Sequence, residues 1–376
     1  TRRHADLLIR RPSAPSERSP YLSCEHTFHA KWCYSAICAR IRVPKPPLPA
    51  AAGLSTFSAM RTRVLLAGAL FCGLLLPAPS GPAADKKPKA TIGVSLLTLT
   101  NPFFKDLGDA LKDEAAKNGM NVLLTAGEFD AAKQRNQVAD FIVRRVDAIV
   151  LSPCDSKAVG TAIQEANRAG IPVFTADIAA LAPGVKVVSH VATDNRGGGR
   201  LAAQALIEAL GGKGKVAILD HPEVESVILR TQGFEEELAR QKREQGVTIE
   251  VIAKLPGGGT KDKSFKTAED LLQAHPDLDG IFAINDPSAL GAVAALEKAG
   301  CLNRVKVVGF DGMPEGRQAI KKGELYADPI QFPDRIGRAA ARNIVQYLAG
   351  EDVPPETLIP TQLYRQADAE KDPTLK

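Results

Sequence analysis

The chemistry this chain offers lies in planar polar side chains placed at intervals: Asn101, Asp177, Arg230, Asn285, Asp311 and Gln331, with the aromatic pair Phe103 and Phe104 beside the first of them. Carboxylates, amides and guanidinium groups accept or donate two hydrogen bonds in one plane, which suits the adjacent hydroxyls of a sugar, and the C–H face of the ring packs on phenylalanine. The inventory fits a polyhydroxylated ligand. Carboxylates spread over two lobes leave glycoside hydrolysis open at this level. Phosphate loops are missing: Ser95–Asn101 has no G-x-G-x-x-G, Gly197-Gly198-Gly199 follows no tight strand-to-helix turn, and Gly257-Gly258-Gly259-Thr260-Lys261 lacks the Walker spacing. Nucleotide binding is disfavoured.

Several of these residues also have structural duties to offer. Asn101 and Asp286 precede Pro102 and Pro287, so both fit helix N-caps with proline at the first helical position, whereas Asn285 has no such duty. Asp155, Asp194 and Asn195 fit helix starts, and Asp220 before His221-Pro222 fits a loop.

Most of these positions come one step beyond a short apolar run. Ala90–Leu97, Asn121–Leu124, Ala148–Ser152, Ile171–Phe174 and Val185–His190 read as strands, alternating with helices over Pro102–Asn118, Ala131–Arg145 and Ser156–Ala169. A second series runs through strands Val216–Leu219, Val247–Ala253, Gly280–Ala283, Val305–Phe310 and Tyr326–Ile330. Its helices are Gly197–Leu210, Ser226–Arg243, Phe265–His275, Pro287–Ala299, Pro314–Lys322 and Arg335–Leu348. The apolar runs are continuous, as in parallel sheets covered on both faces. About ten strands exceed one comfortable sheet, so two doubly wound, Rossmann-like α/β lobes are expected, with ligand beyond the carboxyl ends of the strands.

Ahead of the lobes the composition changes. Residues 1–59 hold seven prolines and nine Lys/Arg against three Asp/Glu, with no apolar period, and read as a disordered leader upstream of the biological start at Met60. Arg61 and Arg63, the apolar run Val64–Leu76 and the small residues up to Ala84 form an export signal over 60–84. The run has 13 residues, short of a membrane span, so a soluble periplasmic protein is expected, without a lipid anchor on Cys72. The net charge of +5 belongs to this leader, and residues 85–376 carry −3, which gives no electrostatic case for nucleic acid. Cys24, His26, His29, Cys33 and Cys38 match no common zinc spacing, and Cys154 and Cys301 alone remain in the body, too few for a disulfide framework. No cofactor or metal is expected.

The segments Asn101-Pro102-Phe103-Phe104, Val187–Asn195, Ala274-His275-Pro276-Asp277, Phe282–Asp286, Val307–Gly312 and Gln331-Phe332-Pro333 together resemble the type I periplasmic substrate-binding proteins of sugar ABC transporters, the ribose-binding branch in particular. The similarity covers Lys89–Gln366. It implies capture of a monosaccharide or polyol by hinge closure, delivery to an ABC permease, a monomer, and no enzymatic step. It implies three crossings between lobes, near His190–Asp194, Gln331–Pro333 and Thr357–Pro360, so that residues 85–193 with 332–358 form one lobe and 194–331 with 359–376 the other. By the same resemblance Asn101, Phe103, Phe104 and Asp177 approach the sugar from the first lobe, Arg230, Asn285 and Asp311 from the second, and Gln331 from the hinge. Two positions depart from the ribose pattern. Ile178 stands where an arginine follows the acid, and the loop after Val247–Ala253 has Gly257–Gly259 in place of an aromatic, with Lys261 as the replacement for its arginine. Ribose is therefore not expected to be the best ligand. Rival readings are a sensory sugar-binding protein, which uses the same chemistry, and a repressor effector domain, which would need a helix-turn-helix where 1–84 has prolines and an export signal.

Overall fold

The computed structural model describes residues 89–375. The expected leader and export signal lie outside them. The described chain forms two sheets of six strands each. In the first, β1 (Ala90–Leu96) sits between β2 (Met120–Ala126) and β3 (Ala148–Leu151), followed by β4 (Val173–Ala176), β5 (His190–Thr193) and β11 (Glu356–Ile359), all parallel. The second has the order β12-β10-β9-β8-β6-β7, built from β6 (Lys213–Asp220), β7 (Thr248–Pro256), β8 (Gly280–Ala283), β9 (Lys306–Val308), β10 (Ala327–Ile330) and β12 (Gln362–Arg365). Only β12 is antiparallel, against β10.

Helices α1 (Pro102–Lys117), α2 (Ala131–Arg144) and α3 (Gly160–Arg168) belong to the first lobe. The second has α4 (Asn195–Leu210), α5 (Glu225–Gln245), α6 (Lys261–Ala274), α7 (Asp286–Lys298) and α8 (Pro314–Lys322). Then α9 (Pro333–Leu348) returns to pack along α1, and a short α10 (Gln366–Ala369) lies by α8. Helices on both faces explain why β1, β3, β8 and β10 are buried almost throughout and why β3 and β8 read as unbroken apolar runs. The chain passes from the first sheet to the second after β5, back after β10, and over again between β11 and β12.

The two edge strands β11 and β12 were not expected, because their residues are half exposed and alternate in burial, a weak signal over four residues. The strand expected over Val185–His190 is shifted to His190–Thr193. Asn167 holds Lys186 through both backbone groups, 2.8 and 3.0 Å, and Gln164 bonds Pro183 O, so this stretch is bound as a loop by α3. The helix expected from Ser156 begins at Gly160, and Asp155 caps the intervening turn through the amides of Lys157 and Ala158.

Candidate functional site

The carboxyl ends of both sheets face one cavity between the lobes. Asn101, Phe103, Phe104, Asp177, Arg230, Asn285, Asp311 and Gln331 all line it. Lys261 does not: it is the first residue of α6 and lines the neighbouring groove, which shares Asn101, Phe129 and Gly259 with the cavity.

Each polar group is held by the element that carries it. Asn101 caps α1, its Oδ1 accepting from Phe103 N at 3.0 Å, so capping and cavity lining coincide in one side chain. This cap turns Phe103 and Phe104 inward, where their rings meet edge to face at 5.1 Å. Asp177 follows β4 at the centre of a γ-turn closed by Ile178 N to Ala176 O at 2.8 Å, with φ of 67°. That turn is strained for a residue with a side chain. It leaves Asp177 Oδ1 buried without a hydrogen-bond partner. Burial is the main reason the carboxyl titrates high, at about 7. Arg230 opposes the shift, while Asp311 and Glu225 add to it.

Arg230 is the most constrained group of the site. Its Nε donates to Asn195 Oδ1 at 2.8 Å, its Nη1 to Ile284 O at 2.7 Å and to Asp311 Oδ1 at 3.1 Å, and its guanidinium stacks on Phe310 at 3.9 Å. Helix α4 approaches so closely that a Cβ on Gly199 would lie 2.0 Å from Arg230 O, so glycine there sets where α5 delivers the arginine. Asp311, at φ 104°, also accepts from Gln331 Nε2 at 2.6 Å, and Gln331 Oε1 accepts from Thr193 Oγ1 at 2.6 Å. Burial raises the Asp311 carboxyl, against the pull of Arg230, Gln331 and Asn101. One hydrogen-bonded chain thus joins the first crossing, the second crossing and the site.

The cap expected at Asp286 is made by Asn285, which lines the cavity as well. Asn285 is the N-cap of α7, accepting from Ser288 N at 2.9 Å and donating to Gly259 O at 3.1 Å, because the helix starts one residue earlier and places Pro287 second. Asp286 turns inward instead and is 2% exposed.

Phe129, His221, Ser226, Val224 and Val227 also line it, and the sequence reading missed them. Phe129 and His221 come from opposite lobes and meet at 6.1 Å between ring centroids. The strand-end rule would have found Phe129 had β2 been followed to Ala126 rather than stopped at Leu124. A second contact between lobes is made by Ser156, whose N donates to Glu223 O and whose Oγ accepts from Glu225 N, both at 2.9 Å. Among the described residues no group of three or more His, Cys, Asp or Glu could hold a metal ion.

The periplasmic binding protein domain matches residues 92–352 of this chain. The chain belongs to that family. It is 38% identical over 272 residues to a ribose import binding protein of Salmonella typhimurium, an alignment covering 72% of this chain and 89% of the relative. Among solved structures it resembles an ABC transporter solute-binding protein of Bacillus halodurans with bound myo-inositol, at TM-score 0.68 and 28% identity, over 76% of this chain and 98% of the other. A periplasmic solute-binding protein of Actinobacillus succinogenes with bound D-allose matches at TM-score 0.69 and 28% identity, over 76% and 100% of the two chains. The family is one of binding proteins, not enzymes, and the glycosidase reading that the carboxylates left open falls away.

Proposed function

We propose that this protein captures one monosaccharide or cyclic polyol between its lobes in the periplasm and delivers it, as a monomer, to an ABC permease. The observation that carries the ligand class is the pairing of a T-shaped phenylalanine pair with Asp177, Arg230, Asp311, Asn101 and Gln331 around one cavity. Adjacent hydroxyls of a ring donate to the carboxylates and accept from arginine and amides, and its C–H face rests on the phenylalanines. Binding needs no covalent step, because every group is placed to hold rather than to transfer. The relatives named for ribose import and the structures holding inositol and allose support the same class. Export through the segment beginning at Met60 completes the reading.

Small-angle scattering with and without ligand tests it. Neutral sugars or cyclic polyols compact and thermally stabilise the protein. If none does, while a nucleotide or phosphate ester does, the ligand class is wrong.

A further inference from the structure

Beside the cavity, in the second lobe, two carboxyl groups are buried close together, one of them also lining the adjoining groove. Asp286, at the first position of α7, is 2% exposed and Asp328, in the middle of β10, is wholly buried. Both carboxyls crowd the backbone of Gly309. Asp286 Oδ1 and both oxygens of Asp328 have no hydrogen-bond partner. The chain makes room for them. A Cβ on Gly309 would lie 2.4 Å from Asp328 Oδ1 and 3.4 Å from Asp286 Oδ1, and one on Gly316 would lie 2.2 Å from Asp286 Oδ1. Two carboxylates crowded together in a dry interior are costly to charge at once, whereas a carboxylic acid donating to a carboxylate would satisfy both.

The other oxygen of Asp286 has a task. Its Oδ2 accepts from Met313 N at 2.5 Å, fastening the turn Asp311-Gly312-Met313 in which Asp311 holds φ of 104°. The backbone of Asp311 is tied on its other side to β10, through Pro329 O at 3.1 Å and Gln331 N at 2.8 Å. Asp286 therefore holds the turn that carries Asp311, and Asp328 stands in the strand to which the Asp311 backbone is tied.

We propose that Asp286 and Asp328 share a single proton and together position Asp311, so that sugar affinity depends on that proton being present. The inference rests on Asp311 being a ligand group, as in the reading above. The pair is surrounded by few other charges: Asp311 beside both carboxyls, Arg230 paired to Asp311, and Arg317 on α8, whose Nε donates to Gly312 O at 2.6 Å. Desolvation raises both carboxyls, repulsion from Asp311 adds to it, and Asp328 is brought to about 6, with Asp286 well above its ordinary value. Groups whose folded-state value is raised above the unfolded one contribute stability that is full at low pH. It is lost as pH climbs from the ordinary carboxylate value of 3.8 through the folded value, about 6 for Asp328.

The test uses Asp328→Asn, which keeps a donor to Asp286 but removes the second charge, and Asp328→Ala, which removes both. Thermal unfolding without ligand from pH 5 to pH 8 shows the wild type losing more stability with rising pH than Asp328→Asn. This readout stands whether or not a sugar binds. D-ribose, D-allose and myo-inositol are then titrated calorimetrically at pH 5.5 and 8. For whichever of them binds, the wild type weakens at the higher pH, Asp328→Asn binds at both within about threefold of the wild type at pH 5.5, and Asp328→Ala binds at least tenfold more weakly. Parallel stability curves for wild type and Asp328→Asn would overturn the shared proton, as undiminished affinity in Asp328→Ala would overturn the positioning role. Failure of all three sugars, with the stability difference intact, would count against the ligand reading alone.

Discussion

Replacing Arg230 by alanine is the sharpest perturbation the site allows, because the side chain is 4% exposed and every bond it makes is internal. The change strips the donor from Asn195 Oδ1 and Ile284 O, leaves Asp311 facing Gln331 alone, and removes the cation from the Phe310 ring. Each buried acceptor left unpaired costs about 1–3 kcal/mol. Breaking a buried ion pair by removing one partner costs about 3–5 kcal/mol. We take about 3–5 kcal/mol as the expected loss of folding stability, since these terms describe overlapping contacts. Affinity suffers separately. The ligand loses a charge-assisted bond of about 1.5–3 kcal/mol. At 1.4 kcal/mol per factor of ten, that is roughly a 10- to 150-fold rise in Kd. Urea unfolding gives the first quantity and calorimetric titration of the best-stabilising sugar the second. Arg230→Lys separates them: its single ammonium recovers part of the stability but cannot reproduce the planar donor set, so affinity stays low. Should Arg230→Ala bind within twofold of the wild type while its stability falls as calculated, the arginine would be a structural strut and its place in the site would be refuted.

Asp155→Ala, which removes only the cap over Lys157 and Ala158, costs about 1 kcal/mol in unfolding and leaves affinity unchanged; a loss of binding there would show that the site extends into this loop. Asp177, raised to about 7 from 3.8, favours the ligand-free protein at acid pH and disfavours it as pH rises through 7. Asp177→Asn should therefore flatten the unfolding midpoint between the two values, from about pH 4 to pH 7, and an unchanged slope would mean the carboxyl is solvated. In a thermal-shift panel of pentoses, hexoses, deoxysugars and cyclic polyols, ribose should not give the largest shift, because Ile178, 1% exposed, presents an apolar wall to the cavity. Ligand at about 1,000 times its Kd adds about 4 kcal/mol, well within the resolution of such a panel, and a ribose maximum would reject the argument from Ile178.

The sequence showed clearly those features that repeat a simple period. Continuous apolar runs such as Ile149–Leu151 and Ile281–Ala283 have one physical explanation, a parallel strand covered twice, and the residues following them fall at the mouth of the cavity for the same reason. What stayed hidden depended on partners far away in the chain. Glu356–Ile359 becomes a strand only because β5 offers its edge, and Gln362–Arg365 only because β10 does. The placing of the cap at Asn285 rather than Asp286 turned on one residue of helix phase, which the Asn-Asp-Pro triplet does not fix. Lys261 was assigned by likeness to a loop, whereas helix α6 already begins there and carries its amine to the adjoining groove. The Asp286–Asp328 pair is invisible in sequence for a plainer reason: 41 positions separate two acids that two glycines allow to touch.

The contact of Ser156 with Glu223 and Glu225 has a consequence for how discrimination and affinity are divided. Its two hydrogen bonds form when the lobes meet and involve no ligand atom, so they favour closure by the same amount whatever lies inside. They act as a common offset. In a two-state hinge such an offset sets the fraction of empty molecules already closed, and so scales every apparent Kd together without altering their ratios. Selectivity is left to the cavity wall, and substitutions at Ile178 can change which sugar is preferred without touching the fastening that decides how readily the protein shuts.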